Sequence, residues 1–185
     1  MEQERRFFMN TIILAGGCFW GLQKFFDQFP QLHTEVGYVN GNSTQTTYRQ
    51  VCAGSGHAEA VKIDYPDSVS LPQILAAYFA SVDPTSINQQ GNDIGINYRT
   101  GIYVQNEQEK DVAKEMLSDL QRHYDKPIAI EVKNLVNYCT AEDEHQKYLD
   151  IHPSGYCHLP RWILSGHRLP TLEEVKAAYP SLSFE

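Results

Sequence analysis

Little in this sequence marks the chain for export, for a membrane or for nucleic acid. No apolar run approaches the roughly 20 residues that cross a bilayer. The opening MEQERRFFMN has neither the apolar stretch nor the small-residue cleavage site of a signal peptide. A cytoplasmic location is therefore expected, with no membrane as partner. Positive charge is scarce: 15 Lys and Arg stand against 23 Asp and Glu, a formal net charge of −8. The basic residues are scattered, and the densest group is Arg5 and Arg6. Phosphate contacts need clustered cations, so nucleic acid is not expected as a partner. Cysteine is sparse too. The four, Cys18, Cys52, Cys139 and Cys157, sit in a chain without an export signal, where structural disulfides are not expected. There is no C-x-x-C pair, and Cys139, His145, His152, Cys157 and His158 lack a familiar ligand spacing, so no metal site is expected. Repeats, low-complexity tracts and a Pro/Gly/Ser-rich linker are also missing. What remains is 185 residues, 42% hydrophobic, enough for one domain with a core of its own.

The apolar pattern sets the order of elements. Thr11–Ala15 (TIILA) reads as a buried strand that ends at Gly16-Gly17. In the segment that follows, Leu22, Phe25, Phe26 and Phe29 fall at i, i+3, i+4 and i+7, one face of a helix that Pro30 stops. His33–Val39 and His57–Asp64 read as strands, while Gly41–Gly56 has no clear period. Leu71–Val82 reads as a helix, Ile87–Tyr98 as a glycine-rich loop and Thr100–Val104 as a strand. Glu107–Tyr124 follows as a helix with Val112, Met116, Leu117 and Leu120 inward, then Ile128–Val132 as a strand. Thr140-Ala141-Glu142-Asp143 has the form of a capped helix start, running to about Ile151. After Pro153 the chain reads mostly as loop, with a short helix at Leu172–Ala178. This mixture predicts an α+β fold, a two-layer α/β sandwich with helices packed on a mostly antiparallel sheet around a ferredoxin-like core.

Two residues carry the strongest chemical signal. Cys18 follows a strand and two glycines and opens a helix, where backbone N–H groups and the helix dipole favour a thiolate. The alternative is a small buried hydrophobe at a strand–helix junction. In the strand around it, Glu59 shares a face with Val61 and Ile63 while Lys62 and Asp64 take the other. A glutamate on a core face has its charged form disfavoured, and a carboxyl that stays protonated suits general acid work. A register slip of one residue, or a structural salt bridge, would remove that role. Phe19 and Trp20, next to the thiol, are core aromatics or the wall of an apolar pocket. Asp93 lies in an Asn/Asp/Gly turn cluster, and Tyr48 and Tyr98 lie in polar contexts. Cys157 lies in Pro153-Ser154-Gly155-Tyr156-Cys157, a flexible context from which a thiol reaches a distant sulfur. Cys52 and Cys139 read as spectators.

Gly16-Gly17-Cys18-Phe19-Trp20-Gly21 resembles the active-site signature of the A-type peptide methionine sulfoxide reductases. The likeness continues through Gly37-Tyr38, Thr47 to Cys52, Gly56 to Val61, Asp83-Pro84-Thr85, Gly91-Asn92-Asp93, Tyr98-Arg99, Ala141-Glu142-Asp143, His145-Gln146, Tyr148-Leu149 and Gly155-Tyr156-Cys157. It covers about residues 11–158 of a single domain, 1–185, and leaves 159–185 as a C-terminal tail without assigned function. Asn40 stands where a glycine is usual, Asn97 where glutamine is common, and no cysteine follows Cys157; neither asparagine is expected to touch the chemistry.

The resemblance implies a two-layer α/β sandwich and thiol-dependent reduction of methionine (S)-sulfoxide, in proteins and free. Cys18 would attack sulfur, Glu59 would protonate the oxygen, and Tyr48 and Tyr98 would bond it with support from Asp93. Phe19 and Trp20 would hold the methyl, and Cys157 would resolve the sulfenic acid. Thioredoxin would act as reductant to a monomer that needs no cofactor. Two other classes stay open: a hydrolase built on Cys18 and His57, and a non-catalytic domain that binds oxidised methionine.

Overall fold

The computed structural model describes residues 10–183; 1–9, with Arg5, Arg6 and nearly all of the segment read for a targeting signal, and 184–185 lie outside the described residues. Among the described residues no helix is long and apolar enough to cross a membrane. The elements are β1 (Asn10–Ala15), α1 (Phe19–Asp27), β2 (His33–Val39), α2 (Tyr48–Cys52), β3 (Ala58–Tyr65), α3 (Leu71–Ser81), β4 (Gln89–Gln90), β5 (Asp93–Ile94), β6 (Gly101–Val104), α4 (Glu107–Gln121), β7 (Glu131–Asn134), β8 (Tyr138–Thr140), α5 (Tyr148–Ile151) and α6 (Leu172–Ala178). Six strands form one sheet in the order β7-β6-β1-β3-β2-β8, and β4 and β5 form a separate hairpin. Every pairing is antiparallel except β6 with β7. The connections through α1 and α3 each skip one strand, which sets β1 and β3 side by side at the centre with Leu14 opposite Val61 and Ile12 opposite Ile63.

Side-chain alternation divides the sheet into two faces. Ile12, Leu14, Val36, Val61, Ile63, Ile102 and Val104 face one way, into a core completed by Leu22, Phe25 and Phe26 of α1, Ile74 and Leu75 of α3, and Met116 of α4. Ile13, Ala15, Val39, Ala58, Ala60 and Tyr103 face the other way, into a thinner cluster closed by Leu135 and Tyr138. The helices thus cover one face, giving the expected two layers. The tail joins the same core: Leu159, Ile163, Leu164, Leu169, Val175 and Tyr179 are all buried in it. Its end is also tied by Ser181, whose amide and hydroxyl donate to Asp119 on α4 at 2.9 and 2.6 Å.

Three local expectations change. The stretch without a clear period contains α2, which starts on reciprocal bonds between Thr47 and Gln50 of 3.0 and 3.3 Å. The capped helix at Thr140 does not form. The Thr140 hydroxyl donates instead to Glu35 at 3.0 Å and the Ala141 amide pairs with the Val36 carbonyl, so the segment ends β8 and is followed by a 3-10 turn at Asp143–His145 and the single turn of α5. The strand read at Ile128–Val132 is displaced to β7, because the Ile128 and Ala129 amides are taken by Gln121 and the Pro84 carbonyl. Asn40, which stands where a glycine is usual, adopts φ +48, and its side chain accepts from the Val136 amide at 2.7 Å. Asparagine tolerates this left-handed region better than other side chains.

The packing of α6 makes a stability prediction. Val175 is 1% exposed and Leu172, in the same helix, is 42% exposed. Val175→Ala should cost about 1–3 kcal/mol in urea unfolding, and Leu172→Ala less than about 0.5 kcal/mol. Equal effects would mean that the tail is not part of the cooperative core.

Candidate active site

β1 delivers the chain into Gly16-Gly17. Gly17 takes φ +80, and a Cβ there would lie 2.7 Å from Gln90 Cβ and 2.9 Å from His158 Nε2, so no other residue fits without movement. The chain then enters α1 with Cys18 at the N-cap, 7% exposed. β3 carries Glu59, 1% exposed, to the same point on the helix-facing side of the sheet. There its Oε1 accepts a hydrogen bond from the Phe19 amide at 3.2 Å. Burial pushes the Glu59 carboxyl up to about 8. The Phe19 amide and the Asn97 side chain pull against that, and the charge of Asp93 adds to it. At neutral pH Glu59 therefore holds its proton. Asn97, expected to stand clear of the chemistry, is close enough to this carboxyl to favour its charged form.

Cys18 departs from its helix-start expectation. Burial pushes its thiol well above the ordinary range and the Glu59 charge adds to this; the Trp20 amide pulls the other way and loses. A helix N-terminus lowers a thiol and apolar burial raises it, and here burial is the larger effect. The resting pair is thus a thiol beside a carboxylic acid, both neutral.

The other candidates converge on this pair. The hydroxyls of Tyr48 and Tyr98 are raised, chiefly by burial, so both stay protonated and can act as donors. Asp93, on β5, acts electrostatically on Cys18, Glu59 and Cys157. Burial raises the Tyr156 hydroxyl to about 12, and the neighbouring Asp93 adds to it. Cys157 is half-buried and docked on α1: a Cβ on Gly21 would lie 3.0 Å from its Sγ. Cys18 and Cys157 are both free thiols, as are Cys52 and Cys139. Cys52 is exposed and its thiol bonds the Tyr48 hydroxyl, while Cys139 is buried on β8 with its Sγ 3.5 Å from Gln45 Oε1.

The aromatics beside Cys18 play different parts. Phe19 is 1% exposed, with Tyr38 and His145 rings 5.6 and 5.4 Å away, so its ring belongs to the core. Trp20 is half-buried, stacks on Tyr148 at 3.7 Å and donates from its indole to His145 Nδ1 at 3.2 Å. Tyr48 completes the cluster, 4.8 Å from His145. Glu142 fixes it from beneath: its two oxygens accept from the Tyr38 hydroxyl at 2.9 Å and the Tyr48 amide at 3.0 Å.

A family model described as "Peptide methionine sulfoxide reductase" matches residues 10–168. The chain is 51% identical over 153 residues, 81% of it and 92% of the relative, to the peptide methionine sulfoxide reductase MsrA of Lachnoclostridium phytofermentans. The chain belongs to the peptide methionine sulfoxide reductase family. Among solved structures it is similar to reduced Mxr1 of Saccharomyces cerevisiae, with a TM-score of 0.74, 31% identity, and 80% of this chain and 88% of that one covered. The complex of Mxr1 with Trx2 matches in fold, with a TM-score of 0.51, 22% identity, and 75% and 84% covered.

Within this reductase, His57 is not placed to be a base. It is fully buried, and its Nδ1 and Nε2 are each 2.8 Å from a partner, the Ser55 hydroxyl and the Ser43 carbonyl. That removes the acceptor a Cys18–His57 hydrolase requires. Glu142, Glu144 and His145 bring ligand atoms within 4.8 Å of one another, but both Glu142 oxygens are already engaged. Sequence reasoning gave no role to His145, Tyr148, Glu142, Asn97 or His158. The first three lie in the quoted motifs, and what made them hard to read was that each acts through another side chain.

The Glu59 shift can be checked without activity. A carboxyl raised in the fold contributes stability that is fully present below its unfolded value and is lost as pH rises through about 8. Glu59→Gln lacks that loss. Its melting temperature relative to wild type should therefore climb between about pH 5 and about pH 8.5, by an amount corresponding to a few kcal/mol. A difference that stays constant with pH would contradict the assigned protonation.

Proposed function

We propose that this chain reduces methionine (S)-sulfoxide, in proteins and free, to methionine, with Cys18 as nucleophile and Glu59 as acid. The observation that carries the reading is the protonated, buried Glu59 bonded to the first amide of α1 next to the Cys18 thiol. A buried thiol and a buried acid cannot both ionise cheaply, so charge moves only when a sulfoxide oxygen is there to receive it. Cys18 attacks the sulfoxide sulfur. The S–O bond weakens, the oxygen takes the Glu59 proton, and the Tyr48 and Tyr98 hydroxyls stabilise it as fixed donors. The protonated oxygen passes to the Cys18 sulfur as hydroxyl, methionine leaves with the electron pair of its bond to that sulfur, and the Cys18 S–H proton passes to Glu59, so Cys18 becomes a sulfenic acid and the acid is restored. The half-buried Trp20, with Phe19 behind it, provides the apolar wall for the substrate methyl, and the charge of Asp93 acts on Tyr156 and Cys157.

Cys157 then attacks the sulfenic sulfur, giving a disulfide and water. Cys157 also borders a cavity of about 190 Å³ lined by Lys24, Leu149, Asp150, Gly155 and Arg161, which leaves it open to an external dithiol. Mxr1, a similar protein, forms a complex with Trx2, which supports thioredoxin as that dithiol. We assign the activity to a monomer in the cytoplasm, a reducing setting in keeping with four free thiols.

Turnover of methionine sulfoxide with dithiothreitol, read as methionine formed, tests this directly. Cys18→Ser should form none while remaining folded. Glu59→Gln should slow methionine release in a single turnover by about 10²-fold or more. Wild-type release should fall as pH rises through about 8, since the acid must be protonated, and Glu59→Gln should lose that limb. Only the S epimer should be consumed in a chiral assay. Turnover by Cys18→Ser, or a pH limb unchanged in Glu59→Gln, would overturn the assignment.

A further inference from the structure

His158 is half-buried, with its ring nitrogens shielded beside Cys157, and has no part in the mechanism above. Its imidazole lies along the first turn of α1: a Cβ on Gly17 would lie 2.9 Å from Nε2, and one on Gly21 would lie 3.1 Å from Nδ1 and from Cε1. The same Cβ on Gly21 would lie 3.0 Å from Cys157 Sγ, so the thiol and Nδ1 border one gap, kept open by the lack of a side chain at residue 21. Both ring nitrogens are buried, and neither makes a well-aligned hydrogen bond, the Gly16 backbone being the one protein group that acts on the ring in this way. Two orphaned nitrogens next to a thiol are a cost to the fold unless they serve the reaction.

Resting on the reading that Cys157 resolves the Cys18 sulfenic acid, we propose that His158 is the proton acceptor of that step. Cys157 gives its S–H proton to Nδ1, and the resulting thiolate attacks the Cys18 sulfur. The S–S bond forms and the S–O bond breaks, and the oxygen leaves with the bonding pair and takes the proton from the imidazolium as water. The Cys18 sulfur is reduced and the Cys157 sulfur oxidised, so no outside electrons are needed until the disulfide is recycled. Two shifts fit this division of labour. Burial raises the Cys157 thiol, so it needs a base. Burial lowers His158, so it is neutral and able to accept at neutral pH; Asp93 and the Gly16 backbone oppose that lowering. The titratable and charged groups facing the pocket are Glu59 on β3, Asp93 on β5 with Tyr156 near it, Cys18, and Arg161 beyond Cys157; Lys24 of α1 is paired with Asp150.

The test uses stoichiometric sulfoxide without reductant. Methionine release and Cys18–Cys157 disulfide formation are followed separately by quenching, alkylation and peptide mapping. In wild type the disulfide should follow release closely, with a rate that falls on acidification through a pKa below the ordinary histidine value of about 6.5. In His158→Gln the interval between release and disulfide should lengthen by about 10²-fold or more, and the acidic inflection should vanish. Free imidazole should shorten the interval in His158→Ala. Gly21→Ala, whose methyl fills the gap while leaving the helix intact, should lengthen it too. Disulfide formation at the wild-type rate in His158→Gln would overturn the proposal, as would slowing with the inflection kept and no imidazole rescue. A wild-type disulfide between Cys18 and Cys52 or Cys139 would overturn the Cys157 reading itself, and His158 with it.

Discussion

The hydrogen bond from the Phe19 amide to Glu59 Oε1 is the contact on which the rest of the site depends. It joins the start of α1 to the middle strand of the sheet and sets a carboxyl against a thiol where neither is solvated. Several features of the fold serve it. The antiparallel register of β1 and β3, with Leu14 opposite Val61, puts Glu59 level with the end of β1. Gly17, with its positive φ, lets the chain turn from that strand into the helix. The alternation of β3 then turns Glu59 toward the helices and Ala58 and Ala60 away from them. A buried acid this far from water costs stability, and that cost keeps the proton available at neutral pH.

Around that bond the structure is a frame for aromatic donors and walls. Glu142 is the clearest case. Burial would raise it, but the Tyr48 amide, its own amide and the Tyr38 hydroxyl hold it below the ordinary carboxylate range. The ionised Glu142 thereby anchors the first turn of α2, which carries Tyr48. His145 does the same for Trp20 by accepting its indole proton, and Tyr148 covers the indole face. On the opposite side Cys157 Sγ lies against Gly21, so the second thiol is docked on α1 in the resting protein rather than waiting on a free tail.

Much of this was legible in the sequence because it is local. The strand and helix around Gly16–Gly21, the face of Glu59 and the helices of the core all follow from periodicities of 2 and 3.6. The resemblance brought the scattered motifs together. The segment 138–151 was misread because its capping pattern is real as a string, while the Thr140 hydroxyl and the Glu142 carboxylate are claimed by groups about 100 residues away. The Cys18 thiolate was misjudged for a related reason: the helix start is visible in sequence, but the depth of burial that outweighs it is not. Asn97, His145 and His158 were given no role because their partners are distant in sequence, and no short pattern records that.

The central claim is that Glu59 carries a proton at neutral pH, and infrared spectroscopy reads that proton directly. A titration of wild-type protein against Glu59→Gln, with ¹³C-labelled glutamate, isolates one carboxyl. The account predicts a protonated-acid carbonyl stretch at pH 7, present in wild type, missing in Glu59→Gln, and replaced by carboxylate bands as pH rises through about 8. A Glu59 signal already in carboxylate form at pH 7, titrating in the ordinary range near 4, would contradict it.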